Sequence, residues 1–421
     1  MNATSHSHSS AAAPRSVLIS GASVAGPALA LCLARYGWSV TVVEKAPRLR
    51  AGGFAVDFRG DAHRTVLQRM GIWDEIHQNQ THMGGQSFVD ADGVEQVRLP
   101  SEVMSGEVEI FRGDLSRILY ERTRDDVEYL FGDSITALDE RADDVLVTFE
   151  RSAPRSFDLV VGADGLHSNV RRLVFGDEAQ FLRFHGHYVA VFEAPNHLGL
   201  DRSARWYNAP GRAVSFAHYG GDPSWSQVTM VFTEPEELSY DRYDTAEHKR
   251  LLAERYAGLG WEVPKALEAL EDAGEVYFDA LAQIQMERFS KGRVVLLGDA
   301  GYGATMGGMG TGLALVCAYV LAGELATQSD HRAAFAGYEA EIRAFAKGCQ
   351  KTAAGAGPML APPTEKKIRG RNRTYRMLNS RFLSSIFERL TLKAANNIKL
   401  KDYGISTEGA VHNAFSGATQ G

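Results

Sequence analysis

The stretch Val17-Leu18-Ile19-Ser20-Gly21-Ala22-Ser23-Val24-Ala25-Gly26-Pro27 constrains this chain more than any other part of it. A short apolar run that stops at a glycine predicts a buried parallel strand. From Val24 to Tyr36, Ala, Leu and Cys recur at helical spacing, and Gly37 stands where a helix C-cap belongs. Ser39 to Val43 predicts a second strand, closed by Glu44. A strand, tight turn, helix and strand in this order form the opening unit of a doubly wound α/β sheet. Gly21 suits the tight turn, and Gly26 lets the helix approach the strand. Ser23 replaces the middle glycine of the pattern and is small enough to admit a phosphate and hydrogen-bond it. The open N–H groups around Ser23, Val24 and Ala25, at the positive end of the helix dipole, favour an anion. Glu44 falls where a carboxylate accepts ribose hydroxyls. This unit predicts dinucleotide binding but leaves NAD, NADP and FAD open.

Two later segments make that choice. Asp158 to Ala163 predicts another apolar strand, followed by the turn Asp164-Gly165 and a helix beginning near Ser168. Val294 to Leu297 predicts a further strand, closed by Gly298-Asp299-Ala300. An aspartate at the C-terminal edge of a strand can hold a ribityl or ribose hydroxyl. The next helix, from about Gly310 through Thr311 and Gly312, can aim its first amides at the flavin's pyrimidine carbonyls, which carry charge in reduced flavin. The order and spacing of the three segments point to FAD.

Bulk properties exclude other classes. The 421 residues suffice for two domains, or for one with a large insertion. A formal net charge of -7, with no basic block across a fold-sized region, argues against nucleic acid as partner. Cys32, Cys317 and Cys349 lack a CxxC spacing and fit a reducing, cytoplasmic setting. The Ser-, His- and Ala-rich residues 1–15 lack the apolar core of a signal peptide and read as a disordered lead-in. The apolar run from Leu313 to Leu325 is too short to span a bilayer and contains Glu324, so no membrane association is expected. His185 and His187 have no third ligand in view, and no metal is expected.

Between Phe175 and about Val276 the pattern changes to alternating, aromatic-rich strands: Tyr188–Glu193, Ala204–Tyr207, Ala213–Tyr219 and Gln227–Thr233. They predict a mostly antiparallel sheet with one face on helices and the other roofing a substrate cavity against the flavin. Arg205, Trp206, His218, Tyr219 and Trp225 are candidate substrate contacts. Strand alternation sends about half of such a set to the wrong face, so no catalytic residue is assigned. The expected plan is a Rossmann-like FAD domain with a parallel sheet (16–174 and 277–357), a substrate domain (175–276) and a C-terminal helix (364–401). A hinge at Pro358 to Pro363 precedes that helix. Its apolar stripe of Tyr375, Leu378, Phe382, Ile386, Phe387, Leu390 and Leu392 would bridge the two domains.

With Gly52-Gly53-Phe54-Ala55-Val56-Asp57 and Phe111-Arg112-Gly113-Asp114-Leu115-Ser116-Arg117 added, the chain resembles the class A flavoprotein monooxygenases of the para-hydroxybenzoate hydroxylase type, from about residue 16 to about residue 350. Within that family it is most similar to the tetracycline-inactivating and actinomycete tailoring hydroxylases. The resemblance implies that Arg112 contacts the flavin region, that Asp57 lies by the isoalloxazine on the substrate side, and that Lys45 flanks the adenosine ribose with Glu44. It further implies NADPH or NADH as transient reductant, and O2 as co-substrate. Oxygen would be delivered through a flavin C4a-hydroperoxide to a phenolic or polycyclic, polyketide-like aromatic substrate, by a monomer or homodimer. Hydroxylation is the main reading. Baeyer–Villiger insertion, tetracycline inactivation and a flavin-binding homologue with little turnover stand as alternatives. The chain departs from the pattern in the glycine-rich run Gly301–Gly312. There Tyr302 stands in place of the usual His, Met306 near the usual Pro, and Gly312 in place of a residue that is usually polar.

Overall fold

The computed structural model describes residues 15–49, 53–101, 106–304, 306, 309–378 and 396–405. The N-terminal lead-in and the apolar positions Phe382 to Leu392 of the C-terminal stripe lie outside the described residues. Val17, Leu18 and Ile19 are fully buried, as a strand covered on both faces requires. Their strand, Ser16–Ser20, is central in a six-stranded sheet, between Leu159–Gly162 and Ser39–Glu44, with all three parallel. Glu128–Phe131 extends the sheet on one side, and Val294–Leu296 with the antiparallel Ser290–Lys291 extends it on the other. Because the main strands run parallel, Ser20, Glu44, Gly162 and Leu296 all end at the same edge.

The helix Gly310–Thr327 is buried from Gly312 to Leu325. It packs against the helices Ala25–Arg35, Gly60–Arg69 and His331–Ala353. Apolar on every side, it is a core helix. With 18 residues it is longer than the apolar run suggests, and by length and composition it could cross a membrane; here 78% of it is buried inside the protein.

The second sheet has seven strands, in the order Tyr277–Ile284, Leu182–Pro195, Trp225–Thr233, Arg212–His218, Ser203–Ala209, Gln86–Val89 and Glu95–Leu99. Only the contact of Ser203–Ala209 with Gln86–Val89 is parallel. Tyr188, Ala190, Phe192, Val214, Phe216, Val228, Met230 and Phe232 form one core with residues of the helices Thr245–Tyr256 and Val263–Asp272. The alternate residues Val189, Val191, Ala213, Val231 and Leu281 face the other way and meet Phe54, Trp206, Met306 and Leu360. The period of two thus divides this sheet into a helix-covered side and a side turned to the first domain.

Three strands cross the domain boundaries read from the sequence. Gln86–Val89 and Glu95–Leu99 fall within 16–174, and Tyr277–Ile284 within 277–357, yet all three are strands of the second sheet. A strand's local pattern shows that it will pair but does not name its partner. The expected hinge at Pro358 to Pro363 also takes another form: Ala356–Leu360 is a short helix and Ala361 is fully buried.

The C-terminal region ties the two units together, and the expected 364–401 helix does not run on to residue 401. Glu365–Leu378 is helical and buries Ile368, Asn372 and Tyr375, while 396–405 is not helical. Arg371 donates to Asn208 Oδ1 of the second sheet at 2.8 Å, and to the carbonyls of Met359 and Leu360 in the short helix Ala356–Leu360. Its guanidinium lies 4.4 Å from the centre of the Phe88 ring. On the first domain, the Tyr403 hydroxyl donates to Glu324 at 2.7 Å, and Lys401 Nζ donates to the same carboxylate at 3.0 Å. Removing the Arg371 side chain strands several acceptors at once, so Arg371→Ala is expected to destabilise the protein by about 3 kcal/mol. A thermal melt would check this, and a melting temperature equal to that of the parent would contradict the bridging role.

Candidate flavin and substrate site

At the common strand edge the backbone packs without room for side chains. Gly21, at φ 109°, is so close to the next strand that an added Cβ would lie 2.4 Å from the Ala163 carbonyl oxygen. A Cβ on Gly26 would lie 1.9 Å from the Gly21 oxygen. A Cβ on Gly298 would lie 3.3 Å from the Ala25 Cβ and 3.6 Å from the Ala314 Cβ. The first helix, the Gly298-Asp299 turn and the helix Gly310–Thr327 therefore open on one place. Ser23 is exposed there, Ala25, Gly310 and Thr311 are half-buried, and Val24 is buried at the N-cap. Two helix starts with open N–H groups around a common recess suit an anionic, hydrogen-bonding ligand.

The acidic residues divide by what already holds them. Glu44 accepts the Ala22 N–H at 2.8 Å and the Ala46 N–H at 2.9 Å, so its carboxylate braces the glycine turn. Asp164 accepts from the Val170 N–H at 3.0 Å and from the Ser168 hydroxyl, which caps the helix Asn169–Phe175. Burial pushes its carboxyl pKa up, against those hydrogen bonds. Asp57 is buried in the strand Ala55–Phe58 and ion-paired with Arg59; burial raises its pKa and the Arg59 charge opposes the rise. Lys45 is exposed, its Nζ 4.9 Å from the centre of the Tyr243 ring.

Asp299 is different. Its side chain is solvent-accessible, yet burial raises its pKa and the Arg112 guanidinium opposes the rise. Tyr277, 41% exposed, has its phenol pKa pushed far up by burial as well, with Asp279, Arg112 and Asp299 acting on it. Groups that water reaches, but that the protein still desolvates, line a recess. Arg112 is half-buried, its N–H donates to the Phe54 carbonyl at 3.0 Å, and its guanidinium has no hydrogen-bond acceptor among the described residues. Gly53, at φ 107°, lets the guanidinium in: an added Cβ would lie 3.4 Å from Arg112 Nε. An uncommitted cation, an accessible carboxylate and two open helix starts meet the needs of a diphosphate with ribityl and ribose hydroxyls. The residues present fit FAD.

The inward face of the second sheet roofs this recess. Tyr277, Val191, Thr229, Ser215 and Trp206 lie side by side across five strands. Of the five candidate substrate contacts, Trp206 lies on this face, and Tyr219 packs beside it with Met83 and Ala217. Arg205 is in register with Phe216 on the opposite side. His218 is buried and tied to the Asp222 carbonyl at 3.1 Å, with Trp225 6.3 Å away, so both shape a turn.

The departures in the glycine-rich loop have structural causes. Tyr302 points into the core, 1% exposed, with its hydroxyl 2.7 Å from that of Tyr338. Gly312 is small because His63 occupies the space beside it: a Cβ would lie 2.4 Å from His63 Nε2. Burial lowers the His63 pKa to about 4, so the ring is neutral. Met306 joins Phe54 and Trp206 on the apolar wall. The sequence reading missed Tyr277, Asp279 and His167. His167 was visible as a histidine inside the Asp164 turn. Tyr277 had no local signal, because its role depends on which strand it pairs with.

Comparison with known proteins agrees with this geometry. Residues 15–353 match the family model described as FAD binding domain, and the chain belongs to that family. It is 37% identical over 341 residues to a flavin-dependent monooxygenase of Legionella longbeachae, covering 80% of this chain and 87% of that one. It is 44% identical over 339 residues to an uncharacterized protein of Mycobacterium tuberculosis, covering 79% and 90%. Among solved structures it resembles the tetracycline destructase Tet(55), with a TM-score of 0.80 and 36% identity over 93% of this chain and 99% of that one. The protein is an FAD-dependent monooxygenase that acts on a small organic substrate.

Two outcomes are expected. Gly312→Ala is expected to lower stability by about 1–3 kcal/mol through overpacking against His63, and to weaken FAD retention. Adding His63→Ala should restore both, and no rescue in a double-mutant cycle would disprove the contact. His167 is the second case. Burial would lower its pKa, but hydrogen bonds and charges from Asp279 and Glu178 raise it to about 9, above the ordinary 6.5. Its contribution to stability is therefore complete below pH 6.5 and lost as pH rises through about 9. Melting temperatures across that window should fall more steeply for the parent than for His167→Gln.

Proposed function

We propose that the protein uses NADPH or NADH, FAD and O2 to oxygenate a flat, fused-ring, oxygen-rich molecule of the tetracycline or polyketide type. In this reading the helix starts by Ser23 and Ala25 would hold the diphosphate of FAD, and Arg112 and Asp299 would hold its ribityl chain. The observation that carries the substrate reading is the breadth of the roof, which runs from Tyr277 to Trp206 across five strands and mixes Val191 with the hydroxyls of Thr229 and Ser215. Likeness to two tetracycline destructases, each spanning 93% of this chain, supports the same class over a single-ring phenol.

FAD, when bound, supplies electron transfer and oxygen activation. The chain's own residues do the rest. Phe54, Met306 and Leu360 close the apolar side of the recess and exclude water. Thr229, half-buried on this face, offers a hydroxyl that orients an oxygenated ring edge. Arg112 supplies a fixed positive charge beside the cofactor, where negative charge develops on reduction.

Incubation of the FAD-loaded protein with NADPH and either tetracycline or simple phenols tests this. Tetracycline should stimulate NADPH oxidation and yield a product one oxygen atom heavier, and Trp206→Ala should raise KM more than it lowers kcat. Turnover of the simple phenols alone would reject the fused-ring reading, and NADPH oxidation that no compound stimulates would favour a flavin-binding protein with little turnover.

A further inference from the structure

Tyr277 is an accessible phenol of the recess, and an ordered set of contacts holds it. It begins the edge strand of the second sheet. Its ring meets Phe54 edge-on, with centroids 4.9 Å apart at 87°. Its hydroxyl is 3.5 Å from Asp279 Oδ2, two residues along on the same face of the strand. The other Asp279 oxygen accepts the Ala280 N–H at 2.8 Å and lies 3.3 Å from His167 Nε2. His167 Nδ1 is 2.8 Å from Glu178 Oε1, and Glu178 in turn accepts from the fully buried Arg171 at 2.6 Å.

Both ring nitrogens of His167 thus face carboxylates on opposite sides, so the ring cannot turn without breaking a contact. His167 follows directly on the Asp164-Gly165 turn at the strand edge, while Asp279 and Tyr277 belong to the sheet that forms the roof. The contacts therefore run from the first domain, through one histidine, to the aromatic ring at the end of the roof. The Arg112 and Asp299 charges act on the same phenol. Arg242 lies 3.8 Å from Glu178, and the Asp164 carboxylate acts on Arg171.

We propose that Tyr277 is a cofactor-contacting residue, its ring set against the FAD held by Arg112 and Asp299, and that His167, clamped between Glu178 and Asp279, is the residue that positions it. This rests on the placement of FAD given above. The hydroxyl remains a neutral donor, because burial keeps the phenol protonated at any working pH. Its ring forms the boundary between cofactor and substrate roof.

The test is the fluorescence decay of FAD bound to the full-length protein. A tyrosine in contact with an excited flavin donates an electron and takes it back, which shortens the decay; phenylalanine cannot do so. Tyr277→Phe should lengthen the lifetime of the bound FAD severalfold, and Tyr277→Trp should keep it short. In His167→Gln the decay should split into short and long components, because the tyrosine is no longer held in one place. A Tyr277→Phe decay identical to that of the parent would overturn the contact, and a single short lifetime in His167→Gln would overturn the positioning. FAD retention that survives both Arg112→Ala and Asp299→Ala would instead reject the placement of the cofactor, which is a separate failure.

Discussion

The contact of the first helix with the first strand sets the geometry on which the site depends. With no Cβ at Gly26, the helix start comes down onto the Gly21 carbonyl, and with none at Gly21 the turn presses on Ala163. Any side chain at either position would push the helix off the strand end. The amides near Ser23 would then no longer open on the recess that Asp299 and Arg112 share. Glu44 reinforces the arrangement by accepting the Ala22 N–H, so the second strand braces the turn made by the first.

From that edge the rest of the architecture follows by packing. The helix Gly310–Thr327 has no polar face and must be enclosed, and the helices Ala25–Arg35, Gly60–Arg69 and His331–Ala353 enclose it. Its start is thereby held beside the Gly298-Asp299 turn, with His63 filling the space that Gly312 leaves. The second sheet could cover the recess only if something held it there. Arg371 and the Lys401–Tyr403 segment grip one unit each, and the His167–Asp279 contact joins them at the recess itself.

Much of the candidate site was legible in the sequence because its elements are local. Gly21, Glu44, Asp164 and Asp299 fall at or just past strand ends, and Gly26 lies in the first turn of the helix that follows the first strand; a strand end can be read from a short apolar run and the residue that stops it. What each carboxylate binds was not legible. Glu44 and Asp164 are engaged largely by backbone N–H groups of their own fold, whereas Asp299 remains accessible. The difference depends on which amides come within reach, and those belong to distant parts of the chain. Tyr302 shows the same limit. By position it replaces a residue expected near the flavin, but its ring is turned into the core against Tyr338.

The sequence by itself determined the class of fold, the cofactor-binding edge and the alternation of the second sheet, because hydrophobic periodicity and glycine placement act over a few residues. Only the tertiary structure decided that Gln86–Val89, Glu95–Leu99 and Tyr277–Ile284 would join that sheet. It also turned Trp206 toward the recess and Arg205 away from it, and brought His167, already near Glu178 in the chain, against the carboxylate of Asp279, 112 residues away. Strand partners and cross-domain ion pairs are chosen by burial and by the geometry of the whole core, and no short stretch of sequence carries that information.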